Sequence, residues 1–171
     1  MPIKEVLKMG HPILQQVAEP VTDFNSSELD SIICDMYDTM AALDGAGLAA
    51  PQIGLSQRIV IFWVEENPRY PDILPVPNTV LINPQIEFLT NEKENGWEGC
   101  LSVPGLRGVV PRCVKIRYSG FDQFGNEVTR LADDFHARVV QHEVDHLDGI
   151  LYPQRMTDMS QFGFEQDGFP S

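Results

Sequence analysis

Apolar positions recur three and four apart in two stretches of this chain, and strand-like runs lie between them. The first stripe is Leu29, Ile32, Ile33, Met36, Tyr37, Met40 and Leu43, the spacing that lines one face of an α-helix. Asn25-Ser26-Ser27 can cap its start, with Asp30 at the capping-box position for Ser27. Glu28, Asp30, Asp35 and Asp38 fall mostly on the opposite, solvated side, and Cys34 beside the stripe reads as a small packing residue. The second stripe predicts a helix that Asp133 or Asp134 caps and that Gly149, followed by Pro153, stops. Its inward face runs from Phe135 and Val139 to His142 and His146.

The intervening chain reads as β-structure and loops. Arg58 to Val64 is a continuous apolar run, the pattern of a buried strand. Residues 65–79, with Pro68, Pro71, Pro75 and Pro77, predict an irregular loop. Val80–Ile82 and Ile86–Leu89 predict short strands around Asn83-Pro84, and polar residues 90–96 a turn. Gly96 to Gly105 reads as an extended, turn-rich segment. Val114–Tyr118 and Glu127–Leu131 predict a hairpin. Residues 1–25, broken by Gly10-His11-Pro12 and Pro20, form an irregular lead-in in which His11 is a turn or surface residue. The acidic residues 153–171 are expected to run extended or partly disordered. No repeat or boundary divides the chain, so one domain over 1–171 is expected.

Composition narrows the classes. Hydrophobic content of 43% and charged content of 22% suit a soluble globular protein. No apolar run is long enough for a membrane span, and the N-terminus lacks secretory or transit character, so a cytoplasmic location is expected. A net charge of −13 argues against direct nucleic-acid binding, which runs on Lys and Arg. Cys34, Cys100 and Cys113 are too few for a disulfide framework and fit a reducing compartment.

The candidate chemistry sits at Gln141-His142-Glu143-Val144-Asp145-His146. Two histidines four apart lie one helical turn apart and can share a metal ion; the glutamate beside the first can reach a water on that metal as general base. Such a catalytic site usually takes a third protein ligand. His136 is six residues before His142 and projects about 120° away on a straight helix. Cys113 has no glycine beside it to ease an approach. Cys100, next to Gly99, is the candidate favoured by position, with Glu98 and the aspartates remaining alternatives. Gln52 stands in a run of small residues, Gly45 to Gly54, through which a backbone can approach a ligand closely. Gly45 and Gly47 do not make a dinucleotide fingerprint, because they follow a helix.

Three stretches together carry a resemblance: Gly45-Ala46-Gly47-Leu48-Ala49-Ala50-Pro51-Gln52, Glu98-Gly99-Cys100-Leu101-Ser102 and Gln141-His142-Glu143-Val144-Asp145-His146. In this order they resemble the three motifs of the peptide deformylase family. The likeness covers nearly the whole chain to about Tyr152, and Arg107 with Val110-Pro111-Arg112 also fits it. The resemblance implies an α+β fold with antiparallel β-sheets packed around a central metal-binding α-helix. It implies a hydrolase that removes the N-terminal formyl group from formyl-methionine of new polypeptides and releases formate. Its metal would be held by Cys100, His142 and His146: iron(II) by family, with zinc, nickel or cobalt also suited to the donors. Glu143 would be general base and then acid, with Gln52 and the Leu101 N–H stabilising the oxyanion. Gly47 and its neighbours would pair with the peptide, while Ala46, Phe135, Arg138 and Val139 line a methionine pocket. Arg107 would meet the substrate backbone, and Glu98, Arg112 and Asp145 would support the site.

The implied partners are N-formylmethionyl peptides and nascent chains, with transient proximity to the ribosome. Some relatives end in a basic helix thought to meet the ribosome; this tail has no net positive charge. The Phe135-His136-Ala137-Arg138 stretch looks more like organellar or plant-like relatives than the commonest bacterial form. Two alternatives compete. H-E-x-x-H alone suggests a zinc endopeptidase, but no histidine follows His146. A deformylase-like scaffold that binds metal or peptide without catalysis is the other.

Overall fold

Two antiparallel sheets meet across a helix. The computed structural model describes residues 3–65 and 74–165. After helix α1 (Ser27–Ala42) come strands β1 (Gly47–Ala49), β2 (Ile59–Val64), β3 (Val76–Phe88), β4 (Lys93–Cys100), β5 (Val103–Cys113), β6 (Lys115–Phe121) and β7 (Glu127–Asp133). Helix α2 (Asp134–Leu147) and strand β8 (Phe162–Phe164) follow. The larger sheet has the order β1-β2-β3-β6-β7 and the smaller β4-β5-β8.

The apolar run of β2 is explained by cover on both faces. Val60 and Phe62 join a core with Val139, Val140, Val144 and Leu147 of α2. Ile59 and Ile61 point the other way, onto Leu29, Ile33, Met36 and Met40 of α1. The period of two along the strand thus sends alternate residues to different helices. Helix α2 also touches β5 of the smaller sheet, so it lies where the two sheets meet.

Several expectations change. Ser26, not Ser27, caps α1 by accepting from Leu29 N at 3.1 Å. Cys34 is exposed rather than packed. The two short strands around Asn83-Pro84 are one strand, β3, whose register shifts between Ile82 and Gln85. Asn83 takes φ 53° there and its side chain exchanges two hydrogen bonds with Val21, so the proline sits in a bulge without ending the strand. Lys93–Gly96 were expected in a turn but pair with Val110–Cys113. Their polarity belongs to an exposed edge strand, not to a loop. Beyond Cys100 the turn-rich segment continues into β5, including Pro104 and Pro111.

Asp133 occupies the cap position of α2, yet its side chain makes no capping bond. Gly149 adopts φ 76° past the helix end, and a Cβ there would come 2.7 Å from the Gln15 carbonyl carbon. Of the segment expected to run extended or disordered, residues 153–165 hold 3-10 turns and β8, which pairs with Leu106–Gly108 of β5. Residues 166–171, and 66–73 of the proline-rich loop, lie outside the described residues. No helix among the described residues is long and apolar enough to cross a membrane.

Candidate metal centre

The donors converge from two elements. Helical spacing puts His142 and His146 one turn apart on α2, with ring centroids separated by 5.2 Å. Strand β4 delivers Cys100 just before the Leu101-Ser102 turn that leads into β5. Cys100 Sγ lies 3.5 Å from His146 Nε2. One ligand atom from each of Cys100, His142 and His146 falls within 4.8 Å of the others. The alternatives left open by spacing are placed elsewhere or otherwise engaged. His136 faces Tyr118, its Nε2 2.9 Å from the phenol oxygen. Cys113 is buried and donates to the carbonyls of Thr90 and Lys115. His11 caps a 3-10 turn by accepting from Ile13 N.

Glu98 is engaged as an orienting group. Its Oε1 stands 2.8 Å from His142 Nδ1, and it accepts two bonds from Arg112, at 2.9 and 3.0 Å, and one from Arg138 at 2.7 Å. Burial would raise this carboxyl, but the hydrogen bonds and charges of Arg112 and His142 outweigh burial and hold it well below the usual range. An ionised Glu98 holds the Nδ1 proton of His142 and leaves Nε2 to the cluster. Burial lowers this ring's pKa, but the bonds to Cys100 and Glu98 and the charges of Glu143 and Glu98 raise it well above the ordinary value, so a metal ion would take the place of a proton at Nε2. At His146, burial and then the positive charges of His142 and Arg112 keep the ring well below its ordinary pKa, hence neutral. A cysteine sulfur and two imidazoles fit a divalent ion such as iron(II) or zinc, which would displace the His142 proton on binding. Asp145 completes the support by receiving Arg112 at 2.7 Å and Arg155 at 3.0 and 3.1 Å.

Glu143 is placed differently. It is 5% exposed, and its Oε1 has no hydrogen-bond partner among the described residues. Its Oε2 is 4.0 Å from His142 Nε2. Burial pushes the carboxyl up to about 7, near the ideal for moving protons at neutral pH. Gly47 makes the placement fit: a Cβ there would lie 2.6 Å from Glu143 Oε2. The need for a small residue is thus met by an acid of the chain itself.

Gln52 sits in the 3-10 turn after β1, where its Oε1 accepts from Ala49 N at 2.9 Å. Its Nε2 points at Ser102 Oγ (3.0 Å) and Cys100 Sγ (3.7 Å), which aims a donor at the centre. Ser102, fully buried, is a positioning partner that reasoning from spacing missed, although it belongs to the Cys100 stretch. The irregular lead-in ties these parts together. Leu7 N donates to Gln52 O, Met9 N to Ser102 O and Ala18 N to Leu147 O, each at 2.8 Å.

The remaining expected residues are more dispersed. Gly47 opens β1, an edge strand of the larger sheet, and Ala46 just before it is tied to β2 by accepting from Trp63 N. Val139 packs in the core with Phe135 against it. Phe135 and Arg138 line a cleft of about 230 Å³ with Gly96 and Cys113, and none of the three donor residues lines it. Arg107 lies over Gly99 and is paired with Glu165 of the C-terminal segment. Tyr152, 1% exposed, stacks on His142 with ring centroids 6.1 Å apart and packs in one cluster with Val103 and Val110 of β5. It too was not foreseen.

Residues 3–162 match the family model described as polypeptide deformylase. A peptide deformylase of Ralstonia nicotianae is 59% identical over 98% of this chain and 95% of its own length. One from Nitrosomonas europaea is 58% identical over 98% and 96%. Among solved structures, a Met-Ala-Ser-bound class I type b peptide deformylase from Acinetobacter baumannii has a TM-score of 0.86 at 40% identity, covering 91% of this chain and 99% of that one. An actinonin complex of a peptide deformylase from Synechococcus elongatus has a TM-score of 0.84 at 35% identity, with coverage of 94% and 82%. The match spans all three stretches that build the centre, on a common fold and over nearly full length, and on that ground the chain belongs to the polypeptide deformylase family.

Proposed function

We propose that this chain hydrolyses the N-terminal formyl group of formyl-methionyl peptides, with Cys100, His142 and His146 holding one divalent ion. The observation that carries this reading is the buried Glu143 carboxylate, one oxygen of which has no hydrogen-bond partner among the described residues, beside the three-donor cluster. An ion bound there supplies Lewis acidity, which makes water a nucleophile near neutral pH. Iron(II) is the proposed native ion, with nickel, cobalt or zinc as working substitutes.

The protein's own residues do the rest. Glu143 takes the proton of the attacking water and returns it to the departing amine. Charge builds on the formyl oxygen, where the Gln52 amide and the Leu101 N–H donate to it; one such donor is worth ~10²–10³ in rate. The free edge of β1 at Gly47 accepts the extended peptide, Ala46 lies beside it, and Arg107 meets the peptide backbone. Phe135 and Val139 bound the methionine side chain, whose binding energy holds the formyl group in place. The Met-Ala-Ser ligand of the Acinetobacter relative supports a peptide beginning with methionine as the bound class. The substrates proposed are new polypeptides near the ribosome, in the cytoplasm.

Formate release from formyl-Met-Ala-Ser is the test, using protein purified without oxygen and loaded with iron(II) or nickel(II). Release is expected, at one metal per chain. Fully loaded protein that releases no formate would sink the proposal, and cleavage of internal bonds in casein would point to an endopeptidase. The structure does not favour that alternative, because the third donor, Cys100, comes from an upstream strand.

A further inference from the structure

Arg138 has a place in the structure that pocket lining does not explain. Its side chain is 12% exposed, and it spends its donors on the β4–β5 hairpin rather than on open space. Nη1 donates to Glu98 Oε2 at 2.7 Å and to Val110 O at 2.8 Å, and Nη2 to Glu94 O at 2.7 Å. The guanidinium lies flat against Gly96, where a Cβ would come 2.7 Å from Cζ and 2.8 Å from Nη2. Gly96 is therefore the seat of the guanidinium. Two carbonyls and a bare glycine hold the arginine in one geometry, and a planar fork held that way acts as a rigid strut.

The strut ends on a carboxylate with no spare freedom. Glu98 accepts from Arg112 twice, from Arg138 once, and stands at His142 Nδ1. Arg112 grips one side of that carboxylate and Arg138 adds a bond to Oε2 from helix α2, the helix that carries His142. Asp145 and Arg155 brace Arg112 in turn. The arrangement clamps Glu98 between the hairpin and the helix.

We propose that Arg138 is a positioning residue of the metal centre: seated on Gly96 and tied to the β4–β5 hairpin, its guanidinium fixes the Glu98 carboxylate that orients the His142 ring. The proposal builds on the reading of Cys100, His142 and His146 as metal ligands. Removing Arg138 leaves Glu98 Oε2 with Arg112 Nε alone, which loosens the carboxylate and lets the imidazole tilt. Groups that orient metal ligands typically change metal affinity by about 10–100-fold. Arg138 acts one bond further out, so the low end of that range is expected.

The test uses the full chain loaded with cobalt(II), whose visible absorption reports ligand geometry, and chelator competition for affinity. Arg138→Met is expected to weaken cobalt binding by about tenfold, shift the visible bands, and lower kcat on formyl-Met-Ala-Ser with KM little changed. Gly96→Ala leaves the arginine in the chain but unseats its guanidinium, and it is expected to change the bands in the same sense. It guards against an Arg138→Met protein that fails to fold. Arg138→Lys can keep one bond to Glu98 and is expected to recover part of the affinity.

Wild-type affinity and bands in both Arg138→Met and Gly96→Ala overturn the proposal. A raised KM with unchanged cobalt spectrum also overturns it and leaves Arg138 as a pocket wall. Failure of the underlying metal reading looks different: the wild-type protein itself would lack a thiolate-to-cobalt band that disappears in Cys100→Ser, and the inference would fall with it.

Discussion

Glu98 and Glu143 stand at the two nitrogens of one imidazole ring, equally buried and in opposite surroundings. Glu98, at Nδ1 of His142, is surrounded by donors from Arg112 and Arg138 and stays ionised. Glu143, near Nε2, lies against the bare backbone of Gly47 with one oxygen unpartnered and its carboxyl raised to about 7. Burial costs both acids the same kind of hydration. One has it replaced by fixed donors and becomes part of the scaffold, while the other does not and is left free to exchange a proton. Carboxylates whose environments push their pKa values apart divide the work between holding and reacting.

Glu143→Gln tests the reacting side most sharply. It keeps the shape and removes the base, so formate release should fall by about 10²–10⁴ with metal content still at one ion per chain. Retained turnover would mean that the proton goes elsewhere. On the holding side, Glu98→Ala leaves Arg112 buried without its carboxylate. A loss of about 3–5 kcal/mol is expected in urea unfolding of the metal-free protein. An unchanged midpoint would show that Glu98 braces nothing.

Gly47→Ala asks whether the two sides are separable. A Cβ at 2.6 Å from Glu143 Oε2 must push the carboxylate aside. Turnover should drop by about tenfold to a hundredfold, the cost of a shift of an ångström or less, while metal affinity stays near wild type. Equal losses in both would merge the two regions into one.

Protonation gives the smallest effects, and their signs differ. Glu98 has a lowered folded-state pKa, so its contribution to stability is complete above the ordinary carboxylate value of about 4.3 and is lost as pH falls below it. Glu143 has a raised one, so the metal-free folded protein holds an extra proton between about 4.3 and about 7, and stability declines as pH rises through that window. Urea midpoints against pH should therefore rise less steeply above about pH 5 in wild type than in Glu143→Gln. Parallel profiles would place Glu143 among ordinary carboxylates.

What spacing could reveal was the part built by one helix. His142, Glu143 and His146 are local, and a period of 3.6 residues fixes their relation whatever the rest of the chain does. Cys100 could only be favoured, because its approach depends on how β4 meets α2, and the three-motif resemblance was needed to select it. The clamp on Glu98 was not legible: Arg112, Arg138 and His142 lie 14, 40 and 44 residues away in sequence. The bond from Gln52 to Ser102 spans 50 residues. Strand errors had a simpler origin. Lys93–Gly96 are polar because β4 is an exposed edge, and Asn83-Pro84 looked like a break because a bulge absorbs the proline.

The lead-in strap bears on the order in which the molecule can be made. Residues 7, 9 and 18 leave the ribosome early, but their hydrogen-bond acceptors are Gln52, Ser102 and Leu147. The last of these does not exist until α2 has been synthesised. The strap can therefore latch in steps, at Gln52 and then Ser102, and its bond from Ala18 can close only after the histidine helix emerges. Closing such distant pairs makes folding slow relative to a helical protein of equal size. A chain stopped before His146 has neither that last latch nor the third donor of the cluster, so strap and cluster are completed by the same turn of α2.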